Sequence, residues 1–144
     1  MKQIICIGNR YVSEDAAGPW VYDFLKQKQL PPDITLIDGG LSGLDLLRFV
    51  EKAERVIFVD RLLISDKSDD VVILKANELF SEMTTTYDHS SGLPYLLRML
   101  PIVCEGMLPD ILIVGIAGNI NQVLIEKAAM IAVELADKGN FITL

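Results

Sequence analysis

The sequence predicts an α/β protein: a three-layer sandwich around a twisted, mostly parallel five-stranded sheet. The apolar runs are short, continuous and rich in β-branched residues, which is typical of strands buried on both faces of a parallel sheet. Segments with helical spacing of their apolar residues alternate with these runs, and this alternation is typical of a sheet covered by helices. The 144 residues predict a single domain spanning 1–144.

The elements follow one another in an order that fits this fold. The predicted strands are Ile4–Ile7, Ile34–Ile37, Val56–Val59, Val71–Leu74 and Ile111–Ile116. The predicted helices are Pro19–Gln29, Leu44–Val50, Leu93–Leu100 and Val123–Ala136. We expect Pro19 in the first turn of its helix, where its missing N–H costs little. We expect Pro101 to stop the third helix and Gly139 to end the fourth.

Composition and charge exclude several classes of protein. With 51% hydrophobic and 23% charged residues the chain is globular rather than disordered. A net charge of −7 makes it a poor partner for nucleic acid or an anionic membrane. No apolar stretch reaches the ~18 residues of a membrane span, and the N-terminal run is too short for a signal peptide. Because Cys6 and Cys104 form no disulfide framework or zinc-site spacing, we expect a cytoplasmic protein.

Chemistry-bearing residues follow three of the predicted strands. In open parallel sheets ligands bind beyond the carboxyl ends of the strands. Glu14 and Asp15 follow the first strand, Asp38 the second and Asp60 the third, and the only histidine, His89, lies in the polar loop before the third helix. We therefore expect these side chains to gather along one edge of the sheet.

Each of these residues also has a purely structural interpretation. Glu14 and Asp15 could interact with a helix dipole, and Asp60 could cap a turn. The turn preferences of Asp and Gly favour a tight turn with an Asx hydrogen bond for Asp38-Gly39-Gly40. Most lone histidines are not ligands. The combination is more informative, because two carboxylates and one imidazole suit nickel, zinc, copper or iron.

Common catalytic motifs are absent from the sequence. It contains no G-x-G-x-x-G or G-x-x-x-x-G-K phosphate loop, no H-E-x-x-H zinc motif and no G-x-S-x-G nucleophile motif. Cys104 has no base beside it in sequence, and an activated thiol needs one or a lowered pKa. These absences disfavour phosphate transfer, zinc peptidase chemistry and serine or cysteine nucleophiles.

An ordered set of short motifs spans most of the chain and points to a family. The motifs are Ile7-Gly8-Asn9 with Glu14-Asp15 and Gly18; Asp38-Gly39-Gly40 with Gly43; Val56-Ile57-Phe58-Val59-Asp60; His89 with Gly92 and Leu93; and Leu112-Ile113-Val114-Gly115. In this order the sequence resembles the hydrogenase maturation endopeptidases, which trim the C-terminal tail from the large subunit of nickel–iron hydrogenases. It departs from that pattern at Arg10, Leu41 and Arg61, and in a short Gly118–Asn121 connection.

The resemblance implies both a reaction and a site. The enzyme would be a peptide-bond hydrolase whose partner is the large-subunit precursor. Its catalytic and metal-contacting residues would be Asp15, Asp60 and His89, with Glu14 as the alternate to Asp15. Gly8, Asn9, Asp38, Gly39 and Gly40 would form supporting loops. The nickel would be supplied by the precursor, so no tightly bound cofactor is expected.

Two other functions remain open at this point. A non-catalytic module that senses or chaperones nickel would use the same three residues and cleave nothing. A hydrolase of another substrate could use the same edge of the sheet, because α/β sandwiches host many chemistries. The way in which the peptide bond breaks is also open. Either nickel polarises a carbonyl that water attacks, with Asp15 or Asp60 as base, or the three residues only position the nickel and the bond.

Overall fold

Within the residues that this computed structural model describes, five strands form one sheet. The described residues are 1–41, 43–62, 69–78, 92–104 and 108–140. The strands are β1 (Lys2–Ile7), β2 (Ile34–Gly40), β3 (Arg55–Arg61), β4 (Asp70–Lys75) and β5 (Asp110–Ala117). Their order is β2-β1-β3-β5-β4, and only the β4–β5 pairing is antiparallel. The predicted mostly parallel, five-stranded sheet is confirmed.

Helices cover both faces of this sheet. They are α1 (Ala17–Leu25), α2 (Leu47–Val50), α3 (Gly92–Val103) and α4 (Gln122–Lys138), with 3-10 helices at Ser13–Asp15 and Leu44–Leu46. Because side chains alternate along a strand, Ile57 and Val59 of β3 pack with α1 and α4, whereas Val56 and Phe58 pack with α2 and α3. The three-layer sandwich is therefore confirmed. None of the described helices is both long and apolar enough to cross a membrane.

Several element ends differ from the prediction. The third helix does not stop at Pro101 but continues to Val103. A proline in the last turn removes one backbone donor, and Cys104 N still donates to Leu100 O at 2.9 Å. The first helix runs from Ala17 to Leu25 rather than from residue 19 to residue 29, with Pro19 in its first turn as expected.

The fourth strand and the last helix show how edges and caps are built. β4 lies at the edge of the sheet and leaves Ile73 37% exposed, so its apolar run does not mark a strand covered on both faces. At the other end of the chain Asn121 caps α4, with its Oδ1 accepting from Leu124 N at 3.0 Å. Gly139, at φ 81°, ends the helix as predicted.

The strand order creates a crevice beside β1. The chain leaves β1 through α1 to reach β2 on one side, then returns across β1 through α2 to reach β3 on the other. The strand that follows β1 in sequence therefore lies on one side of the β1–β3 pair and the strand that follows β3 on the other, which makes the carboxyl ends of these two strands the switch point where α/β sheets bind ligands. The site residues predicted after the first and third strands fall at this place.

The centre of the α2–α3 layer should dominate stability. Phe58 is fully buried there, so Phe58→Ala should lower the free energy of unfolding by about 3–5 kcal/mol because it leaves a cavity. Met130, 70% exposed on α4, provides the control, and Met130→Ala should change the free energy of unfolding by less than about 0.5 kcal/mol. Urea denaturation measures both. Equal effects of the two substitutions would contradict the assigned core.

Candidate functional site

The loop after β1 folds back onto its own start. Asn9 N donates to Asp15 Oδ2 at 3.1 Å, and Tyr11 N donates to Asn9 Oδ1 at 3.0 Å. The backbone adds a bond from Val12 N to Asn9 O at 3.1 Å. A charged acceptor strengthens the first of these bonds. The Asp15 carboxylate is therefore held at the end of β1, half-buried, instead of extending into solvent.

Two glycines permit this tight closure. Gly8 has φ +148°, and a Cβ there would overlap the carbonyl oxygen of Asp15. A Cβ on Gly18, in the first turn of α1, would overlap the carbonyl oxygen of Ile7. Any side chain at either position would push the loop away from the strand. Gly8 and Asn9 thus hold Asp15 close to the end of β1, and their role as supporting loops of a site stays a prediction.

Asp60 lies at the carboxyl end of β3 and is 2% exposed. Its Oδ1 accepts from Arg61 N at 2.8 Å. By strand alternation its side chain lies on the same face as Phe58, toward the α2–α3 layer. Because burying a carboxylate carries a desolvation cost, a buried aspartate at a switch point is typical of a functional residue.

The structure brings the surroundings of these two acids together. The 3-10 helix Ser13–Asp15 packs against β3. Arg61, the neighbour of Asp60, donates from Nε to the carbonyl oxygen of Glu14, the neighbour of Asp15, at 3.3 Å. The Glu14 side chain itself is exposed and lines a small cleft with Trp20 and Asn119. Asp15 is thus half-buried and held by the Asn9 amide, whereas the Glu14 side chain is exposed, and the assignment of Asp15 with Glu14 as its alternate stays a prediction.

The predicted third member of the site, His89, lies outside the described residues, as does the whole loop Ser81–Ser91. Among the residues with described positions, no three His, Cys, Asp or Glu side chains cluster so as to hold a metal ion. Within that part of the chain, Asp15 and Asp60 can supply two ligands and would need others for a complete site. Their roles as ligands stay a prediction.

The segment Asp38-Gly39-Gly40 is not the tight turn expected from its composition. These residues form the end of β2, where the register shifts so that Cys6 pairs with Asp38 and Ile7 with Gly40. The extra residue makes a bulge, which explains why turn-forming residues occur inside a strand. Gly8 N donates to Gly40 O at 3.0 Å, so the two supporting loops are joined.

The Asp38 carboxylate bonds to an arginine and not to its own backbone. Arg10 Nη2 donates to Asp38 Oδ2 at 3.3 Å. The same guanidinium binds Asp23 of α1 in a bidentate manner, at 2.9 and 3.3 Å. Arg10 and Asp38 line a cleft of about 350 Å³ together with Tyr11 and Leu41. Asp38 thus has a structural partner, which is an arginine and not the Asx hydrogen bond expected from the sequence, and its role as a supporting loop stays a prediction.

Hydrogen bonding and burial shift the pKa values of several groups. The hydrogen bond from Arg10 lowers the pKa of Asp23, and the same bond raises the pKa of Arg10. Burial raises the pKa of both free thiols, Cys6 and Cys104. A raised thiol pKa reduces the thiolate fraction at neutral pH and argues against a cysteine nucleophile.

Two arginines matter more here than their sequence context indicates. Arg10 joins two carboxylates, and the Arg61 guanidinium contacts backbone carbonyls of two other segments. In the sequence both were visible only as departures from a family pattern. For Arg61 the available sequence signal is that a charged residue directly follows an acid at the end of a strand. The backbone carbonyls that it contacts carry no sequence signature.

Fold and site together define an α/β sandwich protein with two aspartates at the switch point of its sheet. A family model described as HycI, hydrogenase maturation protease, matches residues 20–134. The chain therefore belongs to the hydrogenase maturation protease family, and the resemblance found in the sequence is confirmed.

Individual relatives agree with this assignment. The hydrogenase 2 maturation protease of Escherichia coli (strain K12) is 23% identical over 105 residues, which are 71% of this chain and 64% of that protein. The hydrogenase expression/formation protein HupD of Bradyrhizobium diazoefficiens is 32% identical over 60 residues, 41% of this chain and 31% of that protein. The chain thus matches less than two thirds of the length of either. The hydrogenase maturating endopeptidase HybD from E. coli shares the fold, with a TM-score of 0.77 and 22% identity over 95% of this chain and 93% of that chain.

Acid should remove the contribution of the Arg10–Asp23 ion pair to stability. Because the folded pKa of Asp23 lies below its ordinary 3.8, the pair stabilises the fold above that pH and loses this effect as pH falls through the folded pKa. Asp23→Asn should lower the urea midpoint at pH 7, and its difference from the parent protein should shrink below about pH 4.

A double-mutant cycle separates this pair from other effects of the substitution. In an Arg10→Met background, Asp23→Asn should have a much smaller effect on the urea midpoint at pH 7. The same loss in both backgrounds would contradict the importance of the pair.

Proposed function

We propose that this protein removes the C-terminal tail from the nickel-loaded precursor of a hydrogenase large subunit. It would recognise the nickel of that substrate through Asp15, Asp60 and His89. Membership of the maturation protease family supports the reaction. The observation that carries the proposed site is the contact between the loop that holds Asp15 and the strand end that holds Asp60. The cytoplasmic location stays a prediction.

The incomplete ligand set suits recognition of a metal that arrives with the substrate. Two carboxylates and one imidazole leave coordination positions open, and cysteine thiolates of the precursor would fill them. A site of this kind need not bind nickel tightly by itself. Cleavage would then depend on nickel insertion, because a precursor without nickel lacks the group that docks it in register.

The surroundings of the two aspartates suggest different tasks for them. Asp60 is almost fully buried at the strand end, so it is suited to hold the nickel of the substrate in a fixed place. Asp15 is half-buried and fixed by the amide of Asn9, so water can reach it. Besides its contact with nickel, we assign to Asp15 the role of the base: it would take a proton from the attacking water, and the nickel of the substrate would polarise the scissile carbonyl.

A module that only senses or chaperones nickel would use the same residues. It differs in one observable, because it would bind the loaded precursor and leave its length unchanged. The cleavage experiment therefore measures the mass of the precursor and not the binding of metal.

The nickel dependence of tail removal tests the proposal. The protein is mixed with nickel-loaded and with nickel-free large-subunit precursor, and mass spectrometry follows the C-terminus. We expect a C-terminal peptide to be lost only from the loaded form. If no peptide is lost from a loaded precursor that its own protease can process, this result contradicts the peptidase function and favours the nickel-binding module. Equal loss from both forms would contradict nickel recognition.

Asp60→Asn is the matching variant in this experiment. It should abolish tail removal and keep the far-UV circular dichroism of the parent, since it preserves the shape of the side chain. Asp137→Asn is the control, because Asp137 is exposed and its carbonyl oxygen accepts from Lys2 at the amino-terminal end of β1, the end of the strand away from the Asp15 loop. It should cleave at the parent rate. Loss of the dichroism signal in Asp60→Asn would show that Asp60 is structural.

A further inference from the structure

We infer that Arg61 is a positioning residue for this reaction: it sets the separation between the Asp15 loop and the strand end that carries Asp60. The inference rests on the proposed function. The observation that supports the inference is the set of backbone acceptors around the Arg61 guanidinium. Nε donates to Glu14 O at 3.3 Å, and Nη1 donates to Ile116 O at 3.4 Å and also to Gly118 O.

These acceptors belong to two segments besides the strand of Arg61 itself. Glu14 lies in the loop after β1, directly before Asp15. Ile116 lies in β5 and Gly118 just after it. On its own strand Arg61 N donates to Asp60 Oδ1 at 2.8 Å. Arg61 therefore contacts the carboxylate of Asp60 through its backbone and the neighbour of Asp15 through its side chain.

The β5 side of this arrangement is itself anchored. Asn119 N donates to Asp69 Oδ1 at 2.9 Å, which ties the connection after β5 to the residue before β4. Gly118 adopts φ +81°, and a Cβ there would overlap Asp69. The connection after β5 is thus packed tightly against its neighbour. A guanidinium bonded to Gly118 O and Glu14 O links the Asp15 loop to a fixed part of the sheet.

The chemistry of arginine suits this task. Its planar guanidinium presents five donors in a rigid fork, so it can bond carbonyl oxygens of separate segments at once. A lysine ammonium is a compact point charge on a flexible stem and holds such a geometry less well. A misplaced loop can slow the reaction strongly, because a shift of a catalytic group by about 1 Å can lower the rate about 100-fold.

The same strand supplies a matched control at its other end. Arg55 donates from Nε to Asp110 Oδ2 at 3.4 Å and from Nη1 to Ala136 O at 2.8 Å. It too links β3 to two other segments, but at the amino-terminal end of the strand, whereas Asp60 lies at the carboxyl end. An arginine that only stabilises the fold should behave like Arg55.

The experiment compares Arg61→Met, Arg61→Lys and Arg55→Met in the full chain. Thermal unfolding reports stability, hydrogen exchange reports the Asn9 amide that bonds Asp15, and the cleavage assay gives kcat and KM for the loaded precursor. In Arg61→Met we expect exchange at Asn9 to accelerate at least about tenfold. We expect kcat to fall at least about tenfold, with a smaller change in KM. Arg61→Lys should recover part of both losses.

Arg55→Met should lower the melting temperature and leave Asn9 exchange and kcat at the parent values. Unchanged Asn9 exchange in Arg61→Met would overturn the inference, as would losses of the same size in Arg55→Met. If the parent protein cleaves no precursor, the proposed function fails. Faster exchange confined to Arg61→Met would then still support the positional role, because that measurement needs no substrate.

Discussion

The bond between the amide of Asn9 and the carboxylate of Asp15 is the constraint on which the rest of the site depends. At 3.1 Å it turns the loop after β1 back onto its own strand. The closure is possible because Gly8 and Gly18 leave room for the carbonyl oxygens of Asp15 and Ile7. An acid that would otherwise be an ordinary residue before a helix is thereby fixed at the switch point, beside the strand that carries Asp60.

Charged side chains join this loop to its neighbours. Arg10 connects it to α1 and to the end of β2 through Asp23 and Asp38. Arg61 connects it to the end of β5 through Glu14 O and Gly118 O. Each arginine acts on one side of the loop. The position of Asp15 relative to Asp60 is therefore set by contacts from strands on both sides of β1, and the sheet serves as the rigid frame of a site built mostly from loops.

Some of this arrangement was predictable from the sequence, for physical reasons. Continuous β-branched runs mark the buried strands, and the strand-end rule located Asp15 and Asp60. The helix through Pro101 and the bulge at Asp38-Gly39-Gly40 were mispredicted, because local preferences yield to packing and strand pairing. The contacts of Arg61 were unpredictable, since its side chain reaches carbonyls 47 and 57 positions away and any residue type supplies such an acceptor.

In the proposed function, Asp15 and Asp60 contact nickel that the substrate brings, together with His89. Nickel K-edge X-ray absorption tests it on the loaded precursor, alone and frozen with the protein before the tail is released. We expect additional oxygen and nitrogen ligands on nickel in the mixture, and fewer of them when the protein carries Asp60→Ala or His89→Ala. Identical nickel coordination with and without the protein, in a mixture shown to contain the complex, would contradict nickel recognition by these residues.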